Sequence, residues 1–325
     1  MSEAGAASIS AIVVSYHTGP LLGRCLTALR GERDISEIIL VNNGNPSGAV
    51  EKAIRESDVG VIAPPVRVIS DHGNVGFAAA CNLGARAARS PLLLFINPDA
   101  VLPPEGAARL REDSASLLQP WMIGAKLISP DGKEQRGARR TELTPWRAIV
   151  EAGRLYKLAP NAPMFQRFNL HEAPPPDDLV EMPTISGACF FLSADDYWRI
   201  NGMDERYFLH VEDIDFCHRF RRAGGRVFYS PHVEVIHRQG SSRTGAAQVS
   251  AWKTRSKILF FKNHYSERYP KWTLAIISFL LWGVHYGKAA LNSVRGGFRI
   301  VRFSLRNGVQ GLRRAQMMRP KRQGR

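Results

Sequence analysis

Glu212-Asp213-Ile214-Asp215 sets three carboxylates within four residues at the head of an apolar-striped segment that runs to Phe220. This is a place where a chain can hold an ionised base, because the amino end of a helix favours the anion. On a helical period, positions 213, 216, 217 and 220 share one face that reads Asp, Phe, Cys, Phe, so Asp213 is expected to turn toward an interior or a cleft. Asp215 stands at pairing distance from Arg219 and Arg222 and is expected to form a solvated ion pair on the surface. A second acid, Asp99, closes Asn97-Pro98-Asp99 directly after the apolar run Leu92 to Ile96. A carboxylate at such a tip offers hard oxygen to a divalent cation. His237 closes the run Val233-Glu234-Val235-Ile236.

These groups need elements to bring them together. Ser10 to Val14, Glu37 to Val41, Val66 to Ile69 and Leu92 to Ile96 read as short buried strands. Helical patterns lie between them, at Leu21 to Leu29 with Gly31 as the stop, and at Gly76 to Arg89 with small residues that permit close packing. Strand and helix in this alternation imply right-handed crossovers and a mostly parallel, Rossmann-like sheet with flanking helices. Ligands of such sheets sit at the carboxyl ends of the strands. Here those ends are Tyr16-His17, Asn42-Asn43-Gly44, Asp71-His72-Gly73-Asn74 and Asn97-Pro98-Asp99, all polar, and together they suit a nucleotide. Neither G-x-G-x-x-G nor G-x-x-x-x-G-K follows the first strand, which disfavours a dinucleotide dehydrogenase or a P-loop kinase. A diphosphate bound without such a loop needs another positive charge, and a cation on Asp99 is the economical source.

Further strands are expected at Met122 to Leu127, Pro183 to Leu192, Arg226 to Ser230 and Val233 to His237, with a hairpin turn at Pro130-Asp131-Gly132. Residues 137–182 are less regular and read as a variable insertion, a candidate cover. The expected division is a nucleotide-binding half over 1–120, a half with the candidate base over 121–267, and a basic tail over 268–325.

The net charge of +15 would ordinarily point to nucleic acid or an anionic membrane. Thirteen of the 44 basic residues follow Glu267, where no acidic residue occurs, so residues 1–267 hold 31 basic residues against 29 acidic ones. The body is nearly neutral, and a nucleic-acid partner is not expected, since the basic tail lacks interleaved aromatics. Cys25, Cys81, Cys189 and Cys217 have no paired spacing, so neither a zinc site nor a disulfide framework is expected, and a cytoplasmic setting fits. No cleaved signal peptide is evident at Met1 to Ser8.

Taken in order, these residues resemble a bacterial family-2 glycosyltransferase of the GT-A type, closest to the rhamnosyltransferase-like group, over about Ser10 to Phe261. The resemblance is carried by Val14-Ser15-Tyr16, Val41-Asn42-Asn43-Gly44, Asn74-Val75-Gly76-Phe77-Ala78, Phe95-Ile96-Asn97-Pro98-Asp99-Ala100, Ser186-Gly187-Ala188, Gly202-Met203-Asp204-Glu205, Glu212-Asp213-Ile214-Asp215 and His237. It implies transfer of a sugar, with rhamnose a candidate, from a nucleoside diphosphate donor to an acceptor hydroxyl with inversion at the anomeric carbon. It places Asp213 as the base. It matches Asp99 to the second acid of the family's D-x-D, with Asn97 in place of the first, and His237 to a histidine that completes the metal site in some relatives. Mg2+ or Mn2+ is the implied metal. The nucleotide, UDP or dTDP, would lie across Tyr16, Asn42, Asp71 and Asn74, with Asn42 where relatives often carry Asp. Asp204 and Glu205 are either acceptor-side residues or turn acids. An inactive sugar-nucleotide-binding scaffold is the rival reading, motivated by Asn42 and Asn97.

Trp272 to Gly287 is an uncharged run of sixteen residues between Lys271 and Lys288. As a helix it spans about 24 Å, short of a hydrocarbon core of roughly 30 Å. Val294, Phe298, Val301, Leu305, Val309 and Leu312 then recur at spacings of three and four among arginines. Such C-terminal helices suit attachment to an anionic membrane at its inner face, where a polyprenyl-linked or other glycan acceptor is found.

Overall fold

Ile9–Ser15 (β1) is an apolar, β-branched run that is stable as a strand only with both faces covered, and all seven residues are buried. The computed structural model describes residues 8–58, 63–159, 162–238, 245–287 and 290. From β1 the chain passes through Leu21–Arg30 (α1) to Ile35–Asn42 (β2), then through Ala49–Glu56 (α2) to Val66–Ile69 (β3). Phe77–Ala87 (α3) leads to Leu92–Ile96 (β4). β1 pairs in parallel with both β2 and β4, and β3 extends β2 in parallel. The polar ends of four strands therefore meet at one edge of the sheet.

The second half continues with Ala100–Val101 (β5), Gly106–Ala115 (α4), Trp121–Ile128 (β6), Arg139–Arg140 (β7) and Pro145–Gly153 (α5). Val180–Glu181 (β8), Thr184–Ile185 (β9), Cys189–Ser193 (β10) and Ala194–Arg199 (α6) follow. Glu212–Arg222 (α7), Arg226–His237 (β11) and Ala246–Tyr265 (α8) complete this half, and a further helix runs over residues 271–287 (α9). The sheet order is β3-β2-β1-β4-β10-β6-β11-β5, with β8 on β11. β10 runs antiparallel between β4 and β6 and joins the halves.

Two sequence expectations change here. The single strand expected over 183–192 is broken at Ser186-Gly187: β10 stays in the main sheet, while β9 leaves it to pair with β7. The strands expected at 226–230 and 233–237 are one strand, β11, with a register shift between Ser230 and Glu234.

A larger core surrounds the sheet, and a smaller one gathers Tyr207, Val211 and Ile214 with Phe260, Phe261 and Tyr265 of α8. α9 adds Leu274, Ile277 and Leu281 to that smaller core, so this segment packs on the body through one face. Among the described residues no helix is long and apolar enough to cross a membrane. The amphipathic segment expected from Val294 to Leu312 lies outside the described residues.

The reading of Asp215 as a surface acid is corrected. Its residue is 0% exposed and its carboxylate accepts from Arg219 Nε at 2.6 Å, His264 Nε2 at 2.7 Å and the Tyr207 hydroxyl at 3.1 Å. The i, i+4 pairing with Arg219 was legible in the sequence. The partner on α8, which turns a surface pair into a buried tie between α7 and α8, was not.

Candidate active site

One cavity of about 950 Å³ opens along the carboxyl edge of the sheet, a volume within the usual range for a small-ligand site. It is lined by Tyr16, Asn43, Asn74, Asn97, Asp99 and His237, and also by Arg140, Glu212, Asp213 and residues of α8 and α9. Asp99 and Asp213, more than a hundred residues apart in sequence, thus line one space.

The donor side is held by amide side chains. Asn43, 3% exposed, donates through Nδ2 to Asn74 Oδ1 at 3.0 Å and accepts from the Val75 amide at 3.1 Å. Gly76 has φ +87°, and a Cβ there would meet Phe208 O at 2.7 Å, so only glycine allows this approach. Tyr16 and Asn74 line the cavity, whereas Asn42 and Asp71 do not. Asn42 Oδ1 instead accepts from the Asn45 backbone and side-chain nitrogens at 3.0 and 2.9 Å, which closes its own turn. Asp71 is exposed at the adjoining tip with φ +72°. Asn43, which lines the wall beside it, was passed over in the sequence because a buried wall residue and a turn-forming asparagine look alike there.

At the floor, His237 Nε2 lies 3.1 Å from Asp99 Oδ1 and 3.3 Å from Asn97 Nδ2. Gln135 donates through its amide nitrogen to the His237 carbonyl, which turns its Oε1 toward His237 Nδ1 at 2.8 Å. Nδ1 therefore donates to Gln135, and Nε2 faces the Asp99 carboxylate. In the neutral ring Nε2 is a lone-pair donor, and it and the carboxylate can share one cation. Asn97 Oδ1 is buried without a hydrogen-bond partner. A carboxylate, an imidazole oriented by a second hydrogen bond, and an orphaned amide oxygen make a donor set that fits a divalent cation. Among the described residues no cluster of three His, Cys, Asp or Glu side chains forms a metal site, because the third donor here is an amide.

Asp213 stands in the first turn of α7. Its Oδ2 accepts from Arg140 Nη2 at 2.5 Å and from the Gly187 amide at 3.1 Å, and its Oδ1 accepts from the Ile214 amide at 2.8 Å. A Cβ on Gly187 would lie 3.1 Å from Asp213 Cβ, so the Ser-Gly break between β9 and β10 lets the backbone donate to the carboxylate. Burial pushes the carboxyl upward, but the Arg140 charge and these hydrogen bonds outweigh it and hold the group below the usual aspartate range. The preceding His210 and Val211 have φ of +66° and +74°. For a β-branched valine this is an outlier costing about 1–3 kcal/mol, and it is placed where it sets the direction of the Asp213 carboxylate.

Glu212 behaves in the opposite way. It is 6% exposed, its Oε2 has no hydrogen-bond partner, and burial together with the Asp213 charge pushes its carboxyl up to about 8. A raised folded value means that folding favours the protonated acid, so stability is full below the ordinary value of 4.5 and declines as pH rises toward 8. Glu212→Gln is therefore expected to melt above the parent at pH 8.5 and level with it at pH 4, measured by thermal denaturation across pH. A melting difference independent of pH would contradict the assignment.

Arg140 is the residue the sequence reading missed, since nothing in Arg139-Arg140 distinguishes it from the other arginines. Asp204 and Glu205 take structural roles: Asp204 pairs with Arg206 at 2.6 Å, and Glu205 accepts from the buried Asn82 at 2.9 Å.

Comparison with known proteins agrees with this geometry. Residues 10–115 match the family model for glycosyl transferase family 2, and residues 171–239 match that described as N-terminal domain of galactosyltransferase. The N-acetylglucosaminyl-diphospho-decaprenol L-rhamnosyltransferase of Mycobacterium tuberculosis is 27% identical over 284 residues, 81% of this chain and 88% of its own. The rhamnosyltransferase WbbL of Escherichia coli is 33% identical over 76 residues, 23% of this chain and 29% of its own. Among solved structures, GalNAc-T7 with UDP, GalNAc and Mn2+ superposes with a TM-score of 0.56 at 14% identity, covering 82% of this chain and 52% of that one. The mannosyltransferase PcManGT from Pyrobaculum calidifontis, in complex with GDP-Man and Mn2+, gives 0.53 at 14% identity over 95% of this chain and 81% of its own.

Proposed function

We propose that this chain, which is a family-2 glycosyltransferase of the GT-A fold and rhamnosyltransferase-like, moves a sugar from a nucleoside diphosphate to a hydroxyl of a polyprenyl-diphosphate-linked glycan, inverting the anomeric carbon. The observation that carries this reading is the single cavity lined by Asp213 together with Asp99, Asn97 and His237. Asp213 takes the proton of the attacking hydroxyl. Its Oδ1, which accepts only the Ile214 amide among the described residues, is the oxygen left for that proton, while Arg140 and Gly187 fix the carboxylate through Oδ2. The low affinity of Asp213 for protons keeps it ionised at neutral pH, as a base must be. Mg2+ or Mn2+ on Asp99, His237 and Asn97 would supply charge to the departing diphosphate.

The donor nucleotide, UDP or dTDP, lies along Tyr16, Asn43 and Asn74, and rhamnose is the sugar suggested by the relatives. The setting is cell-wall or polysaccharide assembly. The test is transfer from a panel of nucleotide sugars to a short-chain prenyl-diphosphate N-acetylglucosamine, with the product's anomeric configuration read by NMR. Retained configuration, or no transfer from any donor, overturns the reading.

The site of action is the inner face of the cell membrane. α9 turns Trp272, Ile276, Phe279 and Leu280 outward, with Trp272 66% and Phe279 76% exposed, while its other face is packed. Large apolar side chains on a rim beside a basic segment suit an anionic bilayer surface. Replacing Trp272 and Phe279 with serine is expected to cut flotation with anionic liposomes severalfold, and undiminished flotation would exclude this face as the anchor.

A further inference from the structure

The cavity that holds Asp99 and Asp213 is also lined by four cationic side chains, Arg136, Arg140, Lys253 and Lys257. Arg140, Lys253 and Lys257 are close enough to act on His210, and Arg140 and Lys253 on Glu212, so these three stand beside Asp213. Arg136 is matched by Glu151 at 2.6 Å, and Arg140 by Asp213 at 2.5 Å. Lys253 makes no ion pair among the described residues. Lys253 is exposed to water in the cavity, and the protein around it together with the Arg140 and Arg136 charges lowers its affinity for a proton against the opposing pull of Asp213 and Glu212. An anion bound there would ease the repulsion among these cations.

Lys253 and Lys257 stand one turn apart on α8, so both reach the cavity from the same helical face. Arg140 pairs with Asp213 and acts on Lys253, and its Nε is buried and unpartnered. Above them α9 contributes Leu281, Val284 and His285 to the wall, and His285 is fixed by Ser250 of α8 at 2.8 Å. The outer face of this same helix carries the exposed apolar side chains. Asp213, the two lysines and one face of α9 therefore line the same cavity.

We propose that Lys253 and Lys257 form a diphosphate-recognition site for the lipid-linked acceptor, separate from the donor's diphosphate site at Asp99. The inference rests on the acceptor class proposed above and adds which part of it is recognised and by what. The acceptor sugar occupies the space beside Asp213, its diphosphate meets the lysines of α8, and the prenyl chain leaves along α9. Lysine suits this task as a compact charge that adapts to a phosphate without fixed geometry.

The test is calorimetric titration of the full chain with farnesyl diphosphate and with farnesol, the donor end being filled by saturating UDP and Mn2+. The diphosphate is expected to bind at least tenfold more tightly than the alcohol. The double substitution Lys253→Gln and Lys257→Gln is expected to remove that preference, and Lys253→Arg with Lys257→Arg to keep most of it. No preference in the parent chain, a preference that survives the glutamine pair, or displacement of farnesyl diphosphate by UDP would each overturn the proposal; the last would return the lysines to the donor. These titrations need no turnover, so failure of the transfer assay and failure of this site are read separately.

Discussion

Asp213→Asn is expected to lower sugar transfer by about 10²–10⁴-fold, the usual contribution of a positioned general base, while leaving nucleoside diphosphate binding within twofold of the parent. The amide keeps the size of the carboxylate and its bond to the Ile214 amide, but it cannot take the acceptor's proton. It also leaves Arg140 without its counter-charge. The two side chains are 10% and 15% exposed, and breaking a buried pair costs about 3–5 kcal/mol, so the variant should also melt earlier. Nucleotide affinity and the melting curve together separate lost chemistry from lost fold. The pH dependence follows from the same contacts. Asp213 is held below the ordinary aspartate value of 3.8, so the stability given by its pair with Arg140 is present above that value and is lost as pH falls through the lower folded one. The acid limb of the rate profile should lie correspondingly low. Turnover of Asp213→Asn within tenfold of the parent would remove this residue from the base position and turn attention to Glu212.

The second large effect is expected at Asp99. The donor set of Asp99, His237 and Asn97 suits a cation, which would supply charge to a departing diphosphate. Asp99→Ala removes the carboxylate of that set and leaves an imidazole and an amide, too few donors for a hard ion. The expected loss is several kcal/mol of transition-state stabilisation, or about 10²–10⁴-fold in rate. A readout apart from activity is available. UDP binding to the parent chain should weaken when EDTA is added and recover with Mn2+, whereas binding to Asp99→Ala should be weak and indifferent to both. Full-rate transfer and unchanged nucleotide affinity in EDTA would exclude the metal.

The strands and their polar tips were legible in the sequence because apolar run length and β-branching report burial directly. β3 and β4 have the expected bounds, and β1 and β2 differ from theirs by one or two residues. Asp213, Asp99 and His237 were singled out by motif order, and the fold brings them to one cavity. The same methods failed where burial depends on a distant partner. Asp215 carries a surface acid's spacing, and only His264 on α8 makes it an interior one. Asn42 and Asn43 are chemically identical neighbours at a strand end, and the turn geometry alone decides that Asn43 faces the cavity.

The stretch Trp272 to Gly287 was readable as an uncharged helical run but not as a helix with one packed and one exposed face. Its composition suits a membrane surface, and nothing local says that Leu274, Ile277 and Leu281 pack against α8 while Trp272 and Phe279 stay outside. Short-range pattern thus determined the class of fold, the kind of chemistry and the identity of the acids. What the tertiary structure decided was which groups meet: Arg140 with Asp213, His237 with Asp99, and the lysines of α8 with the cavity that holds both acids. Those pairings join residues many tens of positions apart, and their energies depend on distance in space and on exclusion of water, neither of which is encoded in spacing along the chain.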